Sequence, residues 1–330
     1  MQPIAVLGAG SWGTALALHL SRLGQEVRLW SFEADHVVLM QRDRANKRYL
    51  PTQAFPETLQ PIVKLEDALR GVKDILIAVP SVGFHHTLDL LKAYLQPSMR
   101  IVWATKGLDE QTGDLLHSVA LHVLGDKYPY AVLSGPSFAK EVAANLPTAV
   151  VVGSQNEDFA KDLQQRFNGP CFRVYLSHDM IGVEIGGVVK NILAIATGIS
   201  DGMGFGANAR SALITRGLAE MIRLGVALGG LYETFTGLAG VGDLVLTCTD
   251  DQSRNRRFGL LLGKGLSPED AEKEIKQVVE GKRNTELVMI LAEKMQVDMP
   301  IVQTVFGVLQ GKLKPIDAMQ SLFSRALRAE

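Results

Sequence analysis

The sequence predicts an α/β fold: a doubly wound Rossmann-type sheet domain followed by an all-helical C-terminal domain. In the first half of the chain, short β-branched runs alternate with helical patterns, as in folds built from βα units. After about Ser177 the strand signals stop, and apolar residues recur at helical spacing. Because 330 residues exceed one usual domain, we place a dinucleotide-binding domain at residues 1–177 and a helical substrate domain at residues 178–330.

Six segments of the first domain have strand composition, and several are apolar throughout, as expected for parallel strands covered on both faces. They are Ile4–Leu7, Glu26–Trp30, Asp74–Val79, Arg100–Thr105, Tyr130–Ser134 and Thr148–Gly153. The helical pattern after the first segment is expected to end at Gly24. In the second domain, a helix is expected to begin with Ser267 as its N-cap and Pro268 at its first position.

Charge and cysteine content exclude several classes of protein. The 34 Lys and Arg residues nearly balance the 35 Asp and Glu residues, so nothing argues for a nucleic-acid or membrane partner. Cys171 and Cys248 lie far apart, without the spacing of a disulfide framework or a zinc site, and we predict no metal. With no secretory signal and no apolar window that reads as a membrane span, we expect a cytoplasmic protein.

A glycine-rich loop follows the first predicted strand and opens a helix. Gly8, Gly10 and Gly13 have the spacing G-x-G-x-x-G. In this context Gly8 allows a tight turn, Gly10 lets a pyrophosphate approach the backbone, and Gly13 lets the helix pack on the sheet. Free N–H groups at the helix N-terminus suit phosphates. The alternative is a structural turn without a ligand, which the strand–loop–helix context disfavours.

The sequence does not decide between NAD(H) and NADP(H) as the cofactor. The second predicted strand ends at Trp30, and no acid immediately at the strand end would hold an adenosine ribose. Glu33 is nearby but lies past that end, and no arginine is placed by the sequence to take a 2′-phosphate. The lack of an acid at the strand end argues against strict NAD dependence.

One lysine interrupts the apolar segment Glu184–Ser200, which resembles a buried helix. In a helix, Gly186 and Gly187 would lie one turn from Lys190 and leave a hollow beside its side chain. An apolar setting lowers the pKa of a lysine, which would allow proton exchange near neutral pH. The alternatives are a lysine whose ammonium reaches solvent, or one paired with Glu184.

Further polar groups stand out against apolar flanks in the second domain. Asp243 follows two glycines, and Thr247 lies four residues later. Ser253-Arg254-Asn255 follows a turn, where Arg254 near a helix start would combine its charge with free N–H groups, an arrangement that binds phosphate. The alternatives are a helix N-terminal acid for Asp243, and a cap with a solvated basic face for Ser253-Arg254-Asn255.

Two turns of the first domain follow predicted strands. Lys106 comes just after the fourth predicted strand, and Gly135, Pro136 and Ser137 follow the fifth. Ligands of doubly wound sheets bind outside the carboxyl ends of the strands. These residues are therefore candidates for a site, with ordinary turn chemistry as the alternative.

Taken together, the motifs resemble the bacterial-type NAD(P)-dependent glycerol-3-phosphate dehydrogenases. The strings that carry the resemblance are GAGSWGTALA, WATKGL, SGPSFAKE, GGVVKNILAIATGISDGMGFGANARSALITRGLAEM, GLAGVGDLVLTCTDDQSRNRRFG and VVEGKRNT, in family order. They span the chain from Ile4 to about Pro300. Long polar and glycine-rich strings are specific, because core packing alone would not dictate them.

The resemblance implies reversible hydride transfer between NAD(P)H and dihydroxyacetone phosphate, which gives sn-glycerol 3-phosphate for phospholipid synthesis. It makes Lys190 the general acid/base and Asp243 the residue that orients and tunes it. It also suggests a homodimer. The substrate-binding residues it implies are Lys106, Gly135, Ser137, Asn191, Thr247, Ser253, Arg254 and Asn255. The cofactor-binding residues are Gly8, Gly10, Ser11, Trp12, Gly13, Phe32, Lys106, Ala139, Arg254, Val278 and Glu280.

Three other interpretations compete with this one. Reductases of the 3-hydroxyacid or ketopantoate type also use a helix lysine, but a carboxylate substrate would place its anion site away from Ser253-Arg254-Asn255. A non-catalytic dinucleotide sensor would need no proton donor. A purely structural protein is hard to reconcile with separate glycine-rich sites at the ends of strands.

Overall fold

The computed structural model describes residues 2–323, and the chain divides into two compact units. The first unit runs up to Asp109 and continues over Asp114–Glu184; the second comprises Glu110–Gly113 and the chain from Ile185 onward. The domain boundary at 177/178 stays a prediction. Residues 324–330 of the predicted helical domain lie outside the described residues.

The first unit contains an eight-stranded sheet, which confirms the doubly wound class. Its strands are β1 (Ile4–Leu7), β2 (Val27–Trp30), β3 (Leu59–Ile62), β4 (Asp74–Ile77), β5 (Arg100–Trp103), β6 (Tyr130–Ser134), β7 (Thr148–Gly153) and β8 (Phe172–Ser177). Their order is β3-β2-β1-β4-β5-β6-β7-β8. All neighbouring pairs are parallel except β6 and β7. The four residues of β1 are fully buried at the centre of the core.

Two strands, β3 and β8, were not predicted, and both lie at edges of the sheet. Pro61 lies inside β3, where its missing N–H is tolerated because one side of an edge strand needs no ladder bond. β8 alternates buried and exposed residues over its first four positions, and its partly polar sequence hid it. β4 and β5 each end two residues before the predicted position.

Seven α-helices lie wholly within the described residues of the first unit. They are α1 (Ser11–Arg22), α2 (Ala34–Asp43), α3 (Leu65–Leu69), α4 (Phe84–Leu91), α5 (Leu116–Leu124), α6 (Ala139–Ala143) and α7 (Glu157–Phe167). The predicted stop after α1 is confirmed, since Gly24 has φ of 78°, a left-handed conformation that favours glycine.

Beyond β8 the described chain is helical. The helices are α8 (Met180–Gly202), which contains the boundary between the units, α9 (Ala207–Ala227), α10 (Tyr232–Thr236), α11 (Asp243–Thr249), α12 (Arg254–Gly263), α13 (Pro268–Ile275), α14 (Glu280–Lys294), α15 (Pro300–Leu309) and α16 (Pro315–Phe323). The predicted start of α13 is confirmed: the Ser267 side chain accepts a hydrogen bond from the N–H of Asp270, and Pro268 occupies the first turn.

Helices α8 and α12 touch backbone to backbone at two pairs of glycines. A Cβ built at Gly198 would lie 2.2 Å from the carbonyl oxygen of Arg256, and one at Gly259 would lie 2.2 Å from that of Ile195. Gly202 and Gly263 make the same kind of contact one turn further along. Since no side chain fits at this crossing, the glycines fix where α12 lies against α8.

Helix α8 is long and apolar enough to cross a membrane by length and composition. The sequence did not predict a membrane span here, because Lys190 interrupts the apolar stretch. However, 94% of its most apolar 18-residue window is buried within the protein, as in the core helix of a folded domain.

Candidate active site

The glycine-rich loop joins β1 to α1, and the fold requires glycine at two of its positions. Gly8 has φ of 114°, and a Cβ there would lie 2.8 Å from the carbonyl carbon and oxygen of Ala78. A Cβ at Gly13 would lie 1.9 Å from the carbonyl oxygen of Gly8. These two glycines provide the tight turn and the close packing of α1 on the sheet.

Gly10 is different, because the fold does not require a glycine at this position. A Cβ at Gly10 would meet no other part of the described chain within 4 Å. The residue is the N-cap of α1 and has no side-chain cap, so the first N–H groups of the helix are open to an anion. The indole Nε1 of Trp12 is buried without a hydrogen-bond partner among residues 2–323. A glycine without a packing reason and an orphaned donor beside it fit a phosphate-bearing dinucleotide.

Sequence reasoning missed a residue that holds this loop in place. Asn46 is fully buried, and its Nδ2 donates to the carbonyl oxygen of Ala9 (2.9 Å) and to Oγ1 of Thr14 (2.8 Å). Its Oδ1 lies 3.0 Å from Nε2 of His36. Asn46 is a positioning residue for the loop, and nothing local in the sequence marks it.

The other cofactor candidates of the first unit occupy three places. Ser11 begins α1, beside the loop. Phe32 lies just beyond β2 and is 78% exposed, so a flat face is available for stacking. Ala139 begins α6, and both it and Trp12 pack against the core of the sheet.

Lys106, Gly135 and Ser137 meet at the ends of two adjacent strands, β5 and β6. The Nζ of Lys106 donates to the carbonyl oxygen of Gly135 at 3.1 Å, and Oγ of Ser137 donates to the same oxygen at 2.9 Å. Gly135 has φ of 130°, and a Cβ there would lie 3.0 Å from the Cα of Val150. A cation and a hydroxyl are therefore held together at a turn that requires glycine.

In the second unit, Lys190 is buried in an ion pair. Its Nζ donates to Oδ1 of Asp243 at 2.6 Å and to Oγ1 of Thr247 at 3.0 Å. Lys190 is 7% exposed and Asp243 only 1%. The hydroxyl of Thr247 donates in turn to the carbonyl oxygen of Asp243 at 2.6 Å. A buried charge of this kind persists only when it is paired and hydrogen-bonded, as it is here.

The chain places Asp243 by an irregular turn before α11. Leu238–Gly242 forms one wide π-helical turn, and Asp243 follows as the first residue of α11, where the helix dipole favours a carboxylate. The expectation of a hollow at Gly186 was wrong. A Cβ there would lie 2.2 Å from the carbonyl oxygen of Ala239, so this glycine admits the backbone of the π turn that carries Asp243.

Asn191 and Asn255 join α8, α12 and the start of α14. The Nδ2 of Asn255 donates to Oδ1 of Asn191 at 2.9 Å, and Oδ1 of Asn255 accepts from the N–H of Gly281 at 2.9 Å. A Cβ at Gly281 would lie 2.7 Å from the carbonyl oxygen of Asn191. This contact sets the position of Glu280, the first residue of α14, and of the nearby Val278, which is 40% exposed.

At the start of α12, the predicted residues Ser253 and Arg254 differ in environment from their neighbour Arg256. Ser253 is the N-cap, and its Oγ accepts from the N–H of Arg256 at 3.2 Å. Arg254 is the first helical residue and is half-buried. Arg256 is buried and paired with Asp201 and Asp251, so its charge serves the fold.

Glu184, the alternative partner for Lys190, belongs to another buried group. Its Oε1 accepts from Nε1 of Trp103 at 3.0 Å and from the N–H of His117 at 3.1 Å, and its Oε2 lies 2.6 Å from Nδ1 of His117. Burial acts to lower the pKa of His117, but the carboxylate outweighs it and raises that pKa above its ordinary value. We interpret this group as structural.

Comparisons with known proteins bear on the whole chain. Residues 3–160 match the family model of the NAD-dependent glycerol-3-phosphate dehydrogenase N-terminus, and residues 179–320 match that of its C-terminus. The glycerol-3-phosphate dehydrogenase (NAD(P)+) of Coxiella burnetii is 57% identical over 328 residues, 99% of this chain and 98% of that protein. The enzyme of the same name from Bartonella quintana is 53% identical over 99% of this chain and 96% of that protein. A crystal structure of the Coxiella burnetii enzyme superposes with a TM-score of 0.95 at 57% identity, covering 98% of this chain and 99% of that one.

Proposed function

This chain belongs to the NAD-dependent glycerol-3-phosphate dehydrogenase family, and we propose that it reversibly reduces dihydroxyacetone phosphate to sn-glycerol 3-phosphate with NADH or NADPH. The observation that carries the chemical proposal is the buried Lys190–Asp243 pair with Thr247 beside it. The reduced nicotinamide, when bound, supplies the hydride. The residues of the chain bind and orient the substrate and the cofactor, and they move the proton.

Lys190 is the proposed general acid and base. In the reduction, an N–H bond of its ammonium breaks and the proton passes to the carbonyl oxygen as the carbon receives hydride. In the oxidation, the neutral amine takes the proton of the hydroxyl. Asp243 orients the ammonium and balances its charge, and Thr247 accepts a second N–H of the same ammonium.

The phosphate of the substrate is assigned to the start of α12. Arg254 is the first residue of this ten-residue helix, and Ser253 already caps one N–H of its first turn. The remaining N–H groups, the guanidinium of Arg254 and the side chain of Asn255 suit an anion with several acceptor oxygens. The glycine crossing of α8 and α12 supports this assignment, because it fixes the position of α12 against the helix that carries Lys190.

In the first unit, the glycine-rich loop, Ser11, Trp12, Phe32 and Ala139 are assigned to the dinucleotide. Lys106, Gly135 and Ser137 are assigned to the substrate, and Lys106 to the cofactor as well. Asn191 and Thr247 complete the substrate contacts, and Arg254, Val278 and Glu280 complete those of the cofactor. These assignments are proposals based on the family motifs and on the local geometry.

Three broader statements belong to the same proposal. The product would supply the backbone of phospholipid head groups, the enzyme would act in the cytoplasm, and it would form a homodimer. The phospholipid role and the homodimer follow from the resemblance of the motifs, and the two free cysteines support a reducing compartment such as the cytoplasm.

A reductase for carboxylate substrates is the second candidate, since it would also use a helix lysine. Both candidates, and a dinucleotide sensor, are separated by one assay. The purified protein is mixed with dihydroxyacetone phosphate and NADH or NADPH, and the loss of reduced-nicotinamide absorbance is followed. Unphosphorylated dihydroxyacetone and a 2-keto acid serve as control substrates.

We expect rapid oxidation of the cofactor with dihydroxyacetone phosphate and little with either control. Faster turnover of the keto acid would support the carboxylate reductase. Dinucleotide binding without turnover of any substrate would support the sensor. Either result would contradict the proposed function.

A further inference from the structure

The residues after β2 form a small polar surface that the sequence could not assemble. Phe32 is largely exposed, and Glu33 follows as the N-cap of α2. The N–H of Glu33 donates to Oγ of the buried Ser31 at 3.3 Å. The main chain of Glu33 is thus held by Ser31, and the Glu33 side chain is 39% exposed.

An arginine from beyond α2 reaches this carboxylate. Nη1 of Arg48 donates to Oε2 of Glu33 at 2.7 Å, although the residues are 15 positions apart. The guanidinium carbon lies 5.3 Å from the centre of the Tyr49 ring. The side chains are 56% exposed for Arg48 and 39% for Glu33, so both can exchange this contact for one with a ligand.

We propose that the Glu33–Arg48 pair reads the 2′ position of the adenosine ribose and lets this enzyme accept both NAD(H) and NADP(H). An acid near the end of the second strand of a Rossmann sheet accepts a hydrogen bond from a ribose hydroxyl and repels a 2′-phosphate. Here the acid carries its own counter-charge. With a hydroxyl present, Glu33 binds it while Arg48 holds the carboxylate; with a 2′-phosphate present, Arg48 turns to the phosphate, for which its planar guanidinium is suited.

Other basic residues nearby are engaged differently. Arg42 lies 2.7 Å and Lys47 3.2 Å from the two carboxylate oxygens of Asp43. Arg48 is the base that contacts the acid after β2. Lys47 is 65% exposed and adjacent in sequence, so it offers a matched control for the loss of one positive charge.

The proposal rests on the dinucleotide site of the proposed function, and nucleotide binding tests it without turnover. Affinities of the full chain for 2′,5′-ADP and for 5′-AMP are measured by titration calorimetry. Arg48→Ala should weaken 2′,5′-ADP about tenfold, as expected for loss of a charge-assisted hydrogen bond, and change 5′-AMP less than about twofold. Glu33→Gln should strengthen 2′,5′-ADP and weaken 5′-AMP, and Lys47→Ala should leave their ratio unchanged.

An Arg48→Ala variant with the wild-type ratio of the two affinities would overturn the proposal, as would an equal change in the ratio with Lys47→Ala. All three substitutions are at exposed positions, and circular dichroism checks that the variants fold. The outcome is distinguishable from failure of the proposed function. If the protein has the expected nucleotide selectivity but does not reduce dihydroxyacetone phosphate, the proposed function is contradicted and this inference is not. If it binds neither nucleotide, both the inference and the proposed function are contradicted.

Discussion

The ammonium nitrogen of Lys190 lies 2.6 Å from a carboxylate oxygen of Asp243, 53 residues later in the chain. This pairing explains how a lysine can lie in the long, apolar and buried helix α8. Neither charge would be tolerated alone at this depth, and breaking a buried pair by removing one partner typically costs about 3–5 kcal/mol. Function in the second unit therefore depends on the elements that bring α8 and α11 together.

Substitution of Lys190 tests the proton-transfer assignment. Lys190→Met keeps most of the aliphatic stem and removes the ammonium, and we expect kcat for dihydroxyacetone phosphate reduction to fall about 10²–10⁴-fold. Binding of 5′-AMP, measured by calorimetry, should be retained. Lys264→Met, at an exposed position after α12, is the control and should keep wild-type turnover. Normal turnover by Lys190→Met would remove Lys190 from the mechanism.

Substitution of two arginines of α12 tests the assignment of the phosphate site. Arg254→Ala should raise the KM for dihydroxyacetone phosphate tenfold or more, at about 1.4 kcal/mol per factor of ten, because a phosphate loses a charged partner. Arg257→Ala removes an exposed charge of α12 and should change KM little. Steady-state kinetics over a range of substrate concentrations measure both. Equal effects of the two variants would mean that α12 acts through general charge and that the phosphate binds elsewhere.

Close packing of α8 on α12 predicts a large effect from a single methyl group. Gly198→Ala would place a Cβ 2.2 Å from the carbonyl oxygen of Arg256, so the helices must separate, and we expect a loss of about 1–3 kcal/mol in the free energy of unfolding. Gly83→Ala is the matched control, since its Cβ would lie 3.7 Å from the nearest atom and its backbone is right-handed helical. Urea unfolding followed by circular dichroism gives both values. If Gly198→Ala were as stable as the control, the crossing would be more adaptable than its geometry indicates.

A buried acid predicts how stability depends on pH. Both carboxylate oxygens of Glu220 accept backbone N–H bonds at the start of α15, from Ile301 at 2.7 Å and Val302 at 3.2 Å. Burial raises the pKa of Glu220 from 4.5 to about 7. Between these values the folded state binds more protons than the unfolded state, so the contribution of Glu220 is greatest below pH 4.5 and is lost as the pH rises through about 7. The total loss in the free energy of unfolding is about 3 kcal/mol.

Glu220→Gln removes the titration, because an amide does not ionise. Unfolding free energies of the two proteins, measured in urea at several pH values, should therefore converge or cross as the pH rises from 5 to 8, with the variant gaining relative to the wild type. A constant difference across this range would mean that Glu220 does not titrate there.

Much of the fold could be predicted because its signals are local. The apolar runs of β1, β6 and β7 are strands over their full predicted lengths. Gly24 follows the end of α1 in a left-handed conformation, and Ser267 caps α13. Edge strands escaped prediction because only one of their sides pairs, and so their sequences tolerate a proline in β3 and alternating polar residues in β8.

Within the candidate site, the residue types were evident and their contacts were not. A lysine in an apolar helix already indicated unusual chemistry, but its partner could have been Glu184 as readily as Asp243. Gly186 suggested room for a ligand, whereas the backbone at Ala239 fills that space. Asn46 and Arg48 carried no signal at all, because each acts on a loop or strand end far from its own position in the chain.

The sequence by itself determined the central strands of the sheet, the glycine-rich loop and the kinds of side chain that could do chemistry, since propensity, capping and glycine geometry act over a few residues. The tertiary structure alone decided which of those side chains meet: Lys190 with Asp243, Asn255 with Asn191, and Arg48 with Glu33. Such pairs depend on how whole helices and strands pack. A contact of this kind is stabilised by many distant apolar residues, and no short stretch of the chain encodes it.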